Sequence, residues 1–120
     1  MQIKKATLID QLLKKLTKTT KIDWLFYLGN NSDDEAVFEF LKSSKLCKDY
    51  LQKDCHKFIT VLEKKPSEAE YYIGEDTLRP YLLKFQNATQ FRKKNRSYAD
   101  FFGAIQGINS DRYLQRLSNF

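Results

Sequence analysis

The side chains best suited to chemistry are the cations of the stretch 79–96, which contains no carboxylate. Cations displace the counterions condensed on a polyphosphate, and arginine can fork onto two phosphate oxygens. Closely spaced cations also repel one another unless an anionic group neutralises them. The stretch therefore predicts a surface that binds nucleic acid or an acidic protein through Arg79, Lys84, Arg92, Lys93, Lys94 and Arg96. A solvated basic face without a partner is the plain alternative.

Aromatic residues are interleaved with these cations. Tyr81 and Phe85 fall at the spacing of a buried helical stripe, whereas Phe91 and Tyr98 are predicted to be exposed and able to stack on unpaired bases. Three lysines of the first predicted helix are candidates to extend the same surface, namely Lys14, Lys15 and Lys18.

Metal and nucleophile chemistry have few candidate residues. Cys47, Cys55 and His56 are too few for a tetrahedral zinc site, and no Cys-x-x-Cys pair is present, so no metal is expected. If Cys55 and His56 share a helix, they point about 100° apart and cannot form a nucleophile and base pair. A ribonuclease-like acid or base role for His56 is a weaker alternative that rests on analogy alone.

Other catalytic patterns have structural explanations. The paired carboxylates Asp33 and Asp34, and Glu75 and Asp76, precede predicted helices, where negative charge is favourable. No glycine-rich phosphate-binding motif occurs. The sequence favours a non-enzymatic protein without a cofactor or a small-molecule substrate.

The elements that would position these residues are predicted to be helices. Leucines and isoleucine recur at helical spacing from Leu8 to Leu16, and the apolar run from Ile22 to Leu28 is assigned to a buried helix because no second strand is evident. Spacing from Cys47 to Leu62 predicts the longest helix, and the basic stretch lies on a helix that begins near Thr77. Further short helices are expected at Val37–Leu41, Tyr71–Ile73, Phe101–Ile105 and Tyr113–Phe120.

The predicted fold is all-α, a single compact irregular bundle of about seven short helices. The 120 residues are expected to form one helical domain, since the chain is 42% hydrophobic and suits a single core.

Hydropathy and charge also indicate where the protein is located and what kind of partner it binds. No apolar run is long enough to cross a bilayer and no signal peptide is evident, so a cytoplasmic location is expected. The formal charge of +6 fits a polyanionic partner. Attachment of the first helix to a membrane surface is disfavoured, because its aliphatic residues have the spacing of an ordinary core helix.

Two classes of function therefore remain. The first is a small module that binds nucleic acid through its phosphates, and the second is a protein-interaction module, such as a phage-type inhibitor, an immunity protein or an assembly subunit. A protein interface would add desolvated aromatic anchors. Exposure of Trp24, Tyr27, Tyr71 or Tyr72 would favour the second class.

Overall fold

The computed structural model describes residues 4–93 and 113–117, and the side chains of 88–93 are not described. Four helices and four strands occur in these residues. In chain order they are α1 (Lys5–Leu16), β1 (Ile22–Gly29), α2 (Ser32–Leu41), α3 (Ser44–Asp49), β2 (Leu51–Leu62), β3 (Tyr71–Ile73), α4 (Glu75–Lys93) and β4 (Gln115–Arg116).

The strands form one mixed sheet in the order β1-β2-β3-β4. β1 pairs with β2 in parallel, with Phe26 opposite Phe58, and β2 pairs with β3 in parallel. The two-residue strand β4 is antiparallel to β3. The prediction of an all-α helical bundle is therefore wrong, because the protein is a mixed α/β structure.

Two predicted helices are strands for an identifiable reason. Parallel strands buried on both faces are nearly continuously hydrophobic, and this describes both the run from Trp24 to Leu28 and the run from Phe58 to Leu62, which Thr60 alone interrupts. Phe26–Leu28 of the first run pair with Phe58–Thr60 of the second, and neither run shows the alternation by which a strand is usually identified. The predicted helix from Cys47 to Leu62 is in fact the six-residue helix α3 followed by β2.

Smaller differences follow from the sheet. Tyr71–Ile73 is the short strand β3, and the described part of the predicted last helix, residues 113–117, contains β4. The predicted helix at Phe101–Ile105 lies outside the described residues. α4 begins at Glu75, two residues before the predicted start near Thr77, and continues to Lys93.

Side chains from the two faces of the sheet enter two cores. α1, α2 and α3 cover one face, where Phe38, Leu41 and Leu46 pack with Ile59 and Val61. α4 covers the other face. The ring of Tyr81 on α4 stacks on the ring of Phe26, with 5.1 Å between the centroids. Because alternate strand residues point to opposite faces, α1 and α4 lie on opposite sides of the sheet.

Candidate functional site

The lysines of α1 lie on the face opposite to α4. Lys5 bonds Asp34 just beyond the end of β1, and residues 17–21 lead from α1 into the start of β1, so α1 runs antiparallel to β1. Lys14 and Lys15 are in the last turn of α1, and Lys18 follows it. All three side chains are exposed. They therefore lie towards the end of the sheet at which β1, β2 and β3 begin, called here the amino-terminal end.

The cations of α4 are spread along the helix. Tyr81 stacks on Phe26 and Phe85 stacks on Trp24, so α4 runs antiparallel to β1 and points towards the amino-terminal end. Arg79, in the first turns, is exposed near the opposite end, and Lys84 is exposed near the middle. At 1.5 Å per residue, the backbone of Arg92 lies about 20 Å further along the axis than that of Arg79. The predicted set is therefore not one compact patch.

The other members of the predicted set lie at the end of α4 and beyond it. Arg92, Lys93 and Phe91 are on the last turns of the helix, while Lys94, Arg96 and Tyr98 lie outside the described residues.

Basic segments from both faces converge at the amino-terminal end of the sheet. α1 ends there, β2 begins there, and α4 extends about 12 Å past Phe85 in that direction. The exposed lysines at this end, called here the basic end, are Lys14, Lys15, Lys18, Lys21, Lys48 and Lys53. The Lys21 ammonium donates to the carbonyl of Lys48 at 2.8 Å, which ties the start of β1 to α3. Three carboxylates occur at the same end, Asp23, Asp49 and Asp54.

A cleft of about 470 Å³ opens beside the basic end, between α3 and β2. Lys57 in its wall donates to the carbonyl of Leu41 at 3.0 Å and lies 3.6 Å from the Cys47 sulfur. Sequence reasoning missed this cleft because it placed its two walls on one helix. The lining residues are Ser44, Cys47, Lys48, Leu51, Gln52, Lys53, Cys55 and Lys57.

The two cysteines of the cleft differ in environment. Cys47 on α3 is exposed, whereas Cys55 on β2 is half-buried, and burial raises the pKa of the Cys55 thiol to about 11. The expectation that both lie on one helix is wrong. Cys55 and His56 are consecutive strand residues, so their side chains project from opposite faces of the sheet.

We expect Cys47 to react with iodoacetamide near neutral pH much faster than Cys55. A rise in the pKa of Cys55 from 9.0 to about 11 leaves roughly 100-fold less thiolate, and thiolate is the reactive form. Mass spectrometry of timed samples measures both rates. Cys47→Ser should abolish the fast phase and Cys55→Ser should preserve it, and equal rates at the two positions would contradict the assignment.

Carboxylates gather at the other end of the sheet, where the parallel strands finish. Asp34 is buried, and its carboxylate accepts bonds from the Lys5 ammonium at 2.9 Å and the Tyr27 hydroxyl at 2.7 Å. The backbone N–H groups of Asn30 and Asn31 donate to its other oxygen. Burial alone would raise the pKa of Asp34, but these bonds lower it to about 2. The side chain is therefore a structural anion.

The neighbouring acids also have structural roles. Glu35 accepts bonds from the Ser67 hydroxyl and the Glu68 backbone N–H, which hold the β2–β3 connection against α2. Glu63 accepts from the backbone N–H of Glu75 and so caps α4. Among the residues that the structure describes, no group of His, Cys, Asp and Glu side chains is arranged to hold a metal ion.

The aromatic residues that would mark a protein interface are only partly exposed. Trp24 and Tyr71 pack in the core under α4, and Tyr27 and Tyr72 pack in the core on the other face. Arg116 lies over the Tyr71 ring, 5.0 Å from its centroid. None of the four is the exposed anchor that the protein-interaction hypothesis requires.

Comparisons with protein-family models, curated protein sequences and solved structures give no match. In the described part of the chain, no helix has the length and apolar character needed to cross a bilayer.

Proposed function

We propose that this protein is a cytoplasmic, non-enzymatic module that binds nucleic acid chiefly through its phosphates. The observation that carries the proposal is the convergence at the basic end of the end of α1, the start of β2 and the last turns of α4. The contact surface would consist of Lys14, Lys15, Lys18, Lys21, Lys48 and Lys53 together with Arg92, Lys93, Lys94 and Arg96.

Electrostatics support an oriented contact. The acids Asp33, Glu63 and Glu75 lie at the opposite end of the sheet, where they offset the exposed cations Lys4, Lys64 and Arg79. A polyanion would be attracted more strongly to the basic end than to the opposite end. Phosphate contacts carry no sequence information by themselves, so weak sequence preference is expected.

Two of the predicted binding residues are less central to the proposed contact than the others. Lys84 and Arg79 are exposed but lie away from the basic end, Arg79 further than Lys84, so they would contact only a ligand that extends along α4. Phe91 and Tyr98 remain proposed stacking residues for unpaired bases, which would favour single strands.

A salt series tests this proposal. Binding of short fluorescent single-stranded RNA or DNA should weaken steeply between about 50 and 300 mM salt, because each neutralised phosphate contributes about 0.7 to the logarithmic slope. Fluorescence anisotropy gives the slope for the wild type and for an alanine variant of Arg92, Lys93, Lys94 and Arg96. The slope should fall by about 0.7 for each phosphate that the variant no longer neutralises.

A matched pair of lysine variants locates the contact. Lys18→Gln with Lys53→Gln removes two exposed charges from the basic end, and Lys4→Gln with Lys64→Gln removes two exposed charges from the other end. Only the first pair should reduce the slope. An equal reduction by both pairs would contradict the proposed surface. Absence of binding at the lowest salt would leave the acidic-protein partner as the better hypothesis.

A further inference from the structure

β1 is an unusually apolar edge strand. Among the described residues it pairs with β2 on one side and has no strand on the other. Its register with β2 is regular from Trp24 to Gly29, and these six residues contain no proline and no charge. Natural edge strands are normally protected by charges, prolines or bulges. This edge therefore offers backbone donors and acceptors to another strand.

The leucines of α1 extend this edge on one face of the sheet. Leu8, Leu12 and Leu16, called here the leucine stripe, are 48%, 53% and 59% exposed. Asp10 lies about 160° around the axis from Leu12. It accepts from the Tyr50 hydroxyl at 2.5 Å and pairs with Lys45 of α3, which packs over β2. The leucine stripe consequently faces away from β2, towards the free side of β1.

α4 places another leucine at the same edge on the opposite face. The Tyr81 ring meets Tyr113, beside β4, at 6.0 Å, whereas Phe85 stacks on Trp24 of β1 at 5.3 Å. Viewed down the helix axis, Phe85 lies about 40° from Tyr81, and Leu82 lies about 100° from Tyr81 in the same direction. Leu82 is therefore on the β1 side of α4, and it is 50% exposed. Apolar side chains thus border the free strand edge from above and below.

We propose that this edge is the interface of a homodimer in which the β1 strands of two copies pair antiparallel. A two-fold axis perpendicular to the sheet would join the two four-stranded sheets into one and bring the two leucine stripes together on the same face. Such an interface is self-complementary, since each copy supplies the same strand edge and the same leucines.

The chemistry of the edge favours a second copy over other occupants. A lipid surface cannot satisfy the backbone N–H and C=O groups of a strand, and a nucleic acid would require cations where this strand is uncharged. Pairing of the segment from Trp24 to Gly29 with itself brings no like charges together. An edge about 26 Å long and about 20 Å across would bury roughly 500 Å² per copy, which reaches the lower limit for a specific interface.

Sedimentation velocity of the full chain in high salt, over a series of concentrations, tests the dimer. The wild type should move from 14.2 kDa to twice that mass as concentration rises. Leu12→Lys should raise the dissociation constant at least tenfold, because it places two like charges at the seam. Leu83→Lys is the matched control, since Leu83 is 52% exposed but lies about 165° from the buried side of α4.

Two sedimentation results would overturn the proposal. One is a wild type that remains a monomer of 14.2 kDa at all concentrations, and the other is a Leu83→Lys variant that weakens association as much as Leu12→Lys. Hydrogen exchange gives an independent reading, because amides within Ile22–Gly29 should gain protection on dimerisation. Association without that protection would assign the contact to another surface and also contradict the proposal.

Discussion

Replacement of Asp34 by alanine is expected to lower the free energy of unfolding by about 3 kcal/mol. The carboxylate is buried and accepts four hydrogen bonds, so its loss leaves the Tyr27 hydroxyl and the N–H groups of Asn30 and Asn31 without their acceptor. Urea unfolding at neutral pH measures the change. Asp33→Ala is the matched control, because Asp33 is exposed and the lysine that it pairs with, Lys5, is also held by Asp34.

The Asp34 contribution should also depend on pH. Its pKa falls from an ordinary 3.8 to about 2 on folding, so ionised Asp34 stabilises the folded state fully above about pH 4. That contribution, about 2 kcal/mol, is lost as the pH drops towards 2. Asp34→Asn should lack this part of the acid-induced loss of stability. An identical acid profile for the variant and the wild type would contradict the role assigned to the carboxylate.

Replacement of Gly29 by alanine is expected to destabilise the fold by about 2–4 kcal/mol. A Cβ at position 29 would lie 2.5 Å from the Asp34 Cγ and 2.6 Å from its Cβ. The Asp34 side chain cannot swing away cheaply, because its hydrogen bonds fix it between β1 and α2. The requirement for glycine is therefore steric, since no glycine of the described chain has a positive φ.

Gly74→Ala provides the comparison for this substitution. A Cβ there would meet only the Thr77 hydroxyl oxygen, at an ordinary contact distance of 3.5 Å. Thermal or urea unfolding should show a change below about 1 kcal/mol for Gly74→Ala. Equal losses at the two positions would show that close packing against Asp34 does not determine the residue at position 29.

The helices with one buried face could be predicted from spacing, while the strands could not. α1 and α2 have apolar residues at three- and four-residue intervals, and the structure contains both close to the predicted positions. β1 from Trp24 onwards and β2 from Phe58 onwards lie between two helical layers and are buried on both faces, so these segments lack the alternation that marks a half-buried strand. The run from Phe58 to Leu62 does include the β-branched residues Ile59, Thr60 and Val61, which favour a strand.

The sequence could predict which types of residue form the candidate site, but not which of them lie together. The sequence shows where cations are concentrated, but the direction of α4 and the face occupied by α1 decide which of them meet. Lys21, Lys48 and Lys53 join the basic end because β1 and β2 begin side by side, a pairing between residues distant in sequence. Arg79, in contrast, is separated from the rest by the length of α4.

The most direct test of the proposed nucleic-acid surface is an NMR titration of the ¹⁵N-labelled protein with a short single-stranded RNA or DNA. The largest amide shift changes are expected around Lys18–Lys21, Lys48–Asp54 and the last turns of α4, and they should diminish as salt is added. Changes concentrated instead around Asn30–Asp34 and Gly74–Asp76, or no changes at low salt, would contradict binding through the basic end.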